Sequence, residues 1–161
     1  MKILHLTDYH YSDNNIAKER ITKSLIKTIK EELIKIDIVL FTGDIVNDGK
    51  EYTDFLAFEE SFAKPLTEAL NLKKENIIFC PGNHDLDRTK IHSATEPYIN
   101  TYVKTKDELD EFYTTAGDVY QDSLKPFENY DGFIKEYYKK QDNCIFKDLY
   151  SIHYRIIDYK K

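Results

Sequence analysis

Three short apolar runs, each closed by a polar cluster rich in acids and histidines, constrain this chain more than any other feature. Residues 2–7 lead into Asp8-Tyr9-His10, residues 38–41 into Thr42-Gly43-Asp44, and residues 77–80 into Pro81-Gly82-Asn83-His84-Asp85. Runs of this length and apolar content read as buried strands. Between the first two, Ile16, Ile21, Leu25, Ile29, Leu33 and Ile36 recur at spacings near four, the stripe of an amphipathic helix. Between the second and third, Phe55, Phe58, Phe62, Leu66 and Leu70 repeat the pattern, with Thr53 placed to cap the helix and Pro65 to kink or split it. The order β-α-β-α-β predicts an α/β fold with parallel strands and helices on the faces. In such sheets ligands gather at the carboxyl ends of the strands. All three polar clusters fall there.

A chain of 161 residues is one domain, long enough to bury a core without disulfide staples. Its 41% hydrophobic and 32% charged residues, with five glycines and four prolines, are those of a globular protein. No apolar run approaches the roughly 18 residues of a membrane helix, so no membrane partner is expected and the cytoplasm is the expected location. Cys80 and Cys144 fit neither a zinc spacing nor a disulfide framework. The net charge of −6 argues against a basic nucleic-acid clamp, although two divalent ions would bring it to −2 and leave room for an anionic substrate.

The composition shifts after Asp85: ten of the 13 tyrosines and four of the nine phenylalanines lie beyond residue 97. Thr105-Lys106-Asp107-Glu108 is a capping box opening a helix to about Ala116, and a second helical stretch runs near 126–140. The chain therefore divides into a core with the polar motifs over 1–89, an inserted helical, aromatic-rich cap over 90–148, and a strand within 149–161. That strand reads as one arm of an antiparallel hairpin whose return strand would follow it.

Asp8 and His10 stand two residues apart, on one side of an extended chain, where both can reach one ion. Gly43 frees the backbone before Asp44, and Gly82-Asn83-His84-Asp85 adds an amide oxygen, an imidazole and a carboxylate. Mixed oxygen and nitrogen donors suit Mn, Fe, Zn or Co better than Ca. Each piece alone is weak, but G-N-H-D is expected by chance at roughly one position in 10⁵. Three such clusters in order, each after a predicted parallel strand, are specific.

With these residues the sequence resembles the calcineurin-like metallophosphoesterases, whose motifs run D-x-H, G-D, G-N-H-(D/E), then an isolated His and G-H-x-H. The match lies in the N-terminal part, and the fold it implies is the N-terminal half of that family's sandwich. The resemblance implies that Asp8, His10 and Asp44 hold a first metal, and that Asp44 bridges to a second also held by Asn83. It makes His84 a catalytic group beside the scissile phosphate, protonating the leaving oxygen, with Asp85 orienting it. The nucleophile would be a hydroxide bridging two ions about 3.5–4 Å apart. The sequence around Asp44 lacks the Arg of the Ser/Thr protein phosphatases, and Asp85 stands where they have Glu. Both departures point to the bacterial phosphodiesterase-type branch.

The implied function is metal-dependent hydrolysis of phosphoesters, diesters preferred, with a nucleotide among the candidate substrates. Mn is the first choice of metal, with Fe or Zn as alternatives. Nucleases of the same superfamily share these motifs and are a second reading. After Asp85 only His92 and His153 remain, and neither belongs to an H-x-H. The complete site would hold two ions. This chain supplies ligands for one or none, which implies a domain cut short and a missing C-terminal half or partner domain. A third reading is accordingly an incomplete half-site, inactive alone.

The other candidate groups have structural explanations. His5, between apolar neighbours, reads as a core histidine, and Cys80 as a buried packing residue. His92, His153 and Arg88 read as surface or packing residues, and the late aromatics as packing within the cap.

Overall fold

The computed structural model describes residues 1–12, 16–32, 35–115, 117–139, 144–146 and 153–155. Strands β1 (Ile3–Leu6), β2 (Ile38–Thr42) and β3 (Ile77–Cys80) form a parallel sheet in that order. In register, Leu4 pairs with Val39 and Val39 with Ile77, while Leu6, Phe41 and Phe79 make the next row of the same face. These rows join one buried cluster with residues of four helices: α1 (Ile16–Glu31), α2 (Tyr52–Phe58), α3 (Lys64–Leu70) and α7 (Glu128–Tyr137). The predicted α/β core with parallel strands is the observed one.

Strand alternation puts His5, Leu40 and Ile78 on the opposite face. That face is not covered by these helices, and Ile3 there is 50% exposed. It overturns two expectations. His5 is exposed, its Nε2 2.7 Å from Thr42 Oγ1, and Cys80 is an exposed free thiol.

Helix α1 departs from its predicted stripe in its first half. Ile16 and Ile21 are exposed, while Thr22 and Ile29 are buried. The Tyr9 hydroxyl lies 3.2 Å from Thr22 Oγ1, so the inward position is filled by a satisfied hydroxyl. Leu33 lies outside the described residues. The second predicted helix is split at Pro65 as expected. A π-helical segment over Glu59–Ala63 separates α2 from α3. A wider turn removes the clash of the proline ring with the preceding carbonyls, and it keeps Phe55, Phe58, Phe62 and Leu66 on one buried face. Thr53 is not the cap: Glu51 takes that position without a side-chain bond.

Beyond β3, helices α4 (Thr95–Tyr102), α5 (Lys106–Thr115) and α6 (Gly117–Leu124) enclose a small second core of Phe112, Tyr120 and Leu124. The capping box is reciprocal: Glu108 N donates to Thr105 Oγ1 and Thr105 N to Glu108 Oε2. Helix α7 belongs instead to the main core. Its Phe133 stacks on Phe55 at 5.5 Å, and Tyr137 meets Phe79 edge-on at 5.1 Å. The Asn129 side chain donates to the carbonyls of Gly49 and Lys50, tying α7 to the loop after β2. Residues 90–148 are thus not uniformly a cap, because amphipathic α7 buries Tyr130, Phe133 and Ile134 under the sheet helices. They are not uniformly helical either: β4 (Cys144–Phe146) pairs antiparallel with β5 (His153–Arg155). The hairpin partner of the C-terminal strand therefore precedes it. The rest of 149–161 lies outside the described residues.

Candidate metal centre

Parallel pairing continues past the strand ends and brings the first two motifs side by side. Asp8 N donates to the Gly43 carbonyl, His10 N to that of Asp44, and Tyr11 N to that of Ile45. Gly43 has φ +97°, and a Cβ there would stand 2.8 Å from Gly82 Cα. A Cβ on Gly82 would stand 2.1 Å from Asp44 Oδ1. Only paired glycines let the second and third motif loops approach so closely.

Three of the predicted ligands have left-handed backbones: Asp8 at φ 56°, His10 at 49° and Asp44 at 53°. Such conformations cost on the order of 1–3 kcal/mol each in non-glycine residues. The remaining described non-glycine case, Asn71, closes α3 as a helix cap, where this conformation is ordinary. At the other three it goes with side chains that meet around His10 Nε2, the Asp8 and Asp44 carboxylates lying on it from either motif.

His10 Nε2 lies 3.7 Å from Asp8 Oδ1 and 3.8 Å from Asp44 Oδ2. Ligand atoms of His10, Asp44 and His84 all lie within 4.8 Å of one another, and the two imidazoles meet edge-to-face at 4.7 Å. Donors bonded at roughly 2.0–2.2 Å to one tetrahedral or octahedral ion stand about 3–4 Å apart. The separations around His10 Nε2 fit a divalent transition metal. His10 Nδ1 is buried without a hydrogen-bond partner, so the ring is positioned by packing. Asp44 Oδ1 accepts from the His84 backbone N–H at 3.0 Å, which leaves Oδ2 toward the centre. Asp8 is 61% exposed and is steadied by Thr7, whose hydroxyl lies 2.7 Å from Asp8 Oδ2.

His84 Nδ1 is 2.8 Å from the Asn47 carbonyl oxygen. A carbonyl only accepts, so Nδ1 carries its hydrogen and Nε2 is the atom facing the centre. Asp85, expected to orient this ring, does not. It is fully buried, and its two oxygens accept from the backbone N–H groups of Val46 at 3.0 Å and Gly82 at 2.8 Å. Burial pushes its carboxyl up to about 6, and the two N–H bonds only partly oppose that. Asp85 is a clamp joining the second and third motif loops. Asn83 is exposed beside His84, and its backbone carbonyl accepts from the Arg88 guanidinium at 3.5 Å.

Sequence reasoning therefore named Asp8, His10, Asp44 and His84, which the fold brings together, and missed Asn47 and Thr7. Asn47 acts through its backbone, which leaves no side-chain signal; Thr7 carried only its place beside Asp8. His92 lies elsewhere, its Nδ1 accepting from Ala94 N. The His153 side chain lies outside the described residues. No described helix is long and apolar enough to cross a membrane.

Two curated relatives are similar to this chain in sequence. An uncharacterized metallophosphoesterase-like protein of Bacillus subtilis is 22% identical over 88% of this chain and 30% of its own length. A 3',5'-cyclic adenosine monophosphate phosphodiesterase of Haemophilus influenzae is 26% identical over 62% of this chain and 35% of its own. The chain spans about a third of the length of each. The family model for calcineurin-like phosphoesterases matches residues 1–156, through the helical region and well past the motifs themselves. On that match the chain belongs to the calcineurin-like phosphoesterases.

Proposed function

We propose that the centre at the carboxyl ends of β1, β2 and β3 hydrolyses phosphoesters, diesters in preference to monoesters. The observation that carries this is the gathering of His10, Asp44 and His84 within 4.8 Å, with Asp8 Oδ1 3.7 Å from His10 Nε2 and Asp8, His10 and Asp44 all on left-handed backbone. Asp8, His10 and Asp44 would hold a divalent ion, Mn first and Fe or Zn as alternatives, with Asn83 placed to extend the site. When bound, such an ion supplies Lewis acidity toward a phosphoryl oxygen. Asp44 accepts the His84 N–H through one oxygen and offers the other to the centre, so one residue sets both the donor set and the distance to His84. The Asn47 carbonyl fixes Nδ1 as the N–H end, so a proton for the leaving oxygen travels through His84 Nε2. The Asp85 clamp holds the two loops in register for this.

Among the described residues there is one cluster of metal-ligating side chains, which favours one ion per chain and slow turnover by the chain alone. The cyclic-nucleotide phosphodiesterase relative favours a diester, possible polynucleotide substrates being disfavoured by the net charge of −6. Hydrolysis of bis(p-nitrophenyl) phosphate with Mn²⁺ tests the reading. Turnover that chelator and Asp44→Asn both abolish supports it; turnover indifferent to both would refute it.

A further inference from the structure

A half-open cavity of about 220 Å³ lies between the third motif loop, α4 and the turn that follows α6. Its walls are mainly carbon, with Leu86, Ile91, Ile99 and Phe127 supplying the apolar surface. Ile91 is 46% exposed, an apolar side chain left at the mouth with nothing over it among the described residues. Of the two ionisable residues in the wall, Asp122 is paired with Lys125 at 2.6 Å, and His92 Nδ1 accepts from Ala94 N at 3.2 Å. Asp87 N donates to the Pro126 carbonyl at 2.9 Å, fastening the far wall to the motif loop.

Size and place select the occupant. The volume exceeds the roughly 150 Å³ that admits benzene and falls below the roughly 300–1,000 Å³ of sites for drug-sized ligands. It suits one ring. The wall begins at Leu86, two residues after His84, at most about 7 Å of backbone away. That distance is within the reach of a single ester arm.

We infer that this cavity is a subsite for an aromatic or similarly sized apolar ring on one ester arm of a substrate whose phosphate lies at His10, Asp44 and His84. The inference rests on the phosphoesterase reading of that centre. It assigns specificity to the α4–α6 region: esters with one ring-bearing arm are favoured over purely aliphatic small esters.

The test is calorimetric binding of phenylphosphonate and methylphosphonate to the Mn²⁺-loaded chain, since both carry the phosphate mimic and differ in the ring. Phenylphosphonate is expected to bind roughly tenfold tighter or more, from burial of the ring. Asn100→Trp, at an exposed position on the rim, should erase that advantage and leave methylphosphonate affinity as it was. Ser123→Leu, filling the cavity from the α6 side, serves as the second variant should the first misfold by circular dichroism. Equal affinity of the two probes in the unaltered chain would overturn the subsite while leaving the centre's reading intact. An advantage that survives both folded variants would overturn it too, placing the ring elsewhere. Failure of both probes to bind would refute the reading of the centre, and this inference with it.

Discussion

The imidazole of His84 is held by backbone: its Nδ1 lies 2.8 Å from the carbonyl oxygen of Asn47, five residues before α2 begins at Tyr52. Holding a ring through a main-chain oxygen makes its orientation depend on the path of the loop after β2. That path is in turn fixed by the Asp85 carboxylate on Val46 N and by Asn129 on Gly49 O.

His84→Ala should retain bound Mn²⁺ and lower phosphodiester turnover by about 10²–10⁴, the usual contribution of a positioned acid or base. Asn47→Ala keeps the carbonyl and should cost at most a few-fold. Metal analysis beside hydrolysis checks both. Loss of metal in His84→Ala would make the ring a ligand, a role its distance to His10 and Asp44 also allows.

Gly82→Ala places a methyl group where Asp44 Oδ1 stands, 2.1 Å from the new Cβ. Neither the Asp44 backbone nor the Gly43 loop behind it can withdraw without breaking the pairing of the motif loops. A destabilisation of about 3 kcal/mol and a lost metal site are expected, read by urea unfolding and Mn²⁺ titration.

Asp85 gives the stability a pH dependence of defined sign. Its folded-state value of about 6 lies above its ordinary 3.8, so the folded chain binds the extra proton between them. The stability this group contributes is complete below about pH 4 and is lost as pH rises through about 6. With chelator present, raising pH from 5 to 7 should therefore cost the unaltered chain about 1 kcal/mol relative to Asp85→Asn. Urea midpoints of the two proteins at both pH values decide it. A gap that is constant or moves the other way contradicts the assignment.

Phe133→Ala should destabilise the whole molecule by about 3–5 kcal/mol, because the ring is fully buried against Phe55 and Phe79. Phe112→Ala, in the smaller cluster of α4–α6, should loosen that region and leave the sheet's unfolding transition nearly in place. Hydrogen exchange resolves the two.

What the sequence made legible follows from what each pattern encodes. The strands, the helix split at Pro65 and the capping box at Thr105 rest on local rules and appear as read. The nearness of Asp8, His10, Asp44 and His84 was legible because each follows the carboxyl end of one of three parallel strands. The α1 stripe holds at Leu25, Ile29 and Ile36 and fails at Ile16 and Ile21, because the inward position there belongs to Thr22, whose hydroxyl meets Tyr9, a pairing across 13 residues that periodicity cannot register. Helix α7 was read with its neighbours because composition marks aromatic density and not which core receives it. Asp85 was misplaced as a partner of His84 because adjacency in sequence does not say which loop a buried carboxylate clamps.

The central claim is that Asp8, His10 and Asp44 form a metal centre, and isothermal titration of the 161-residue chain with Mn²⁺ tests it most directly. The account predicts one ion per chain, and affinity at least about a hundredfold weaker in Asp44→Asn, where a neutral amide replaces the central carboxylate. No uptake of Mn²⁺, or uptake that Asp44→Asn leaves unchanged, would contradict it.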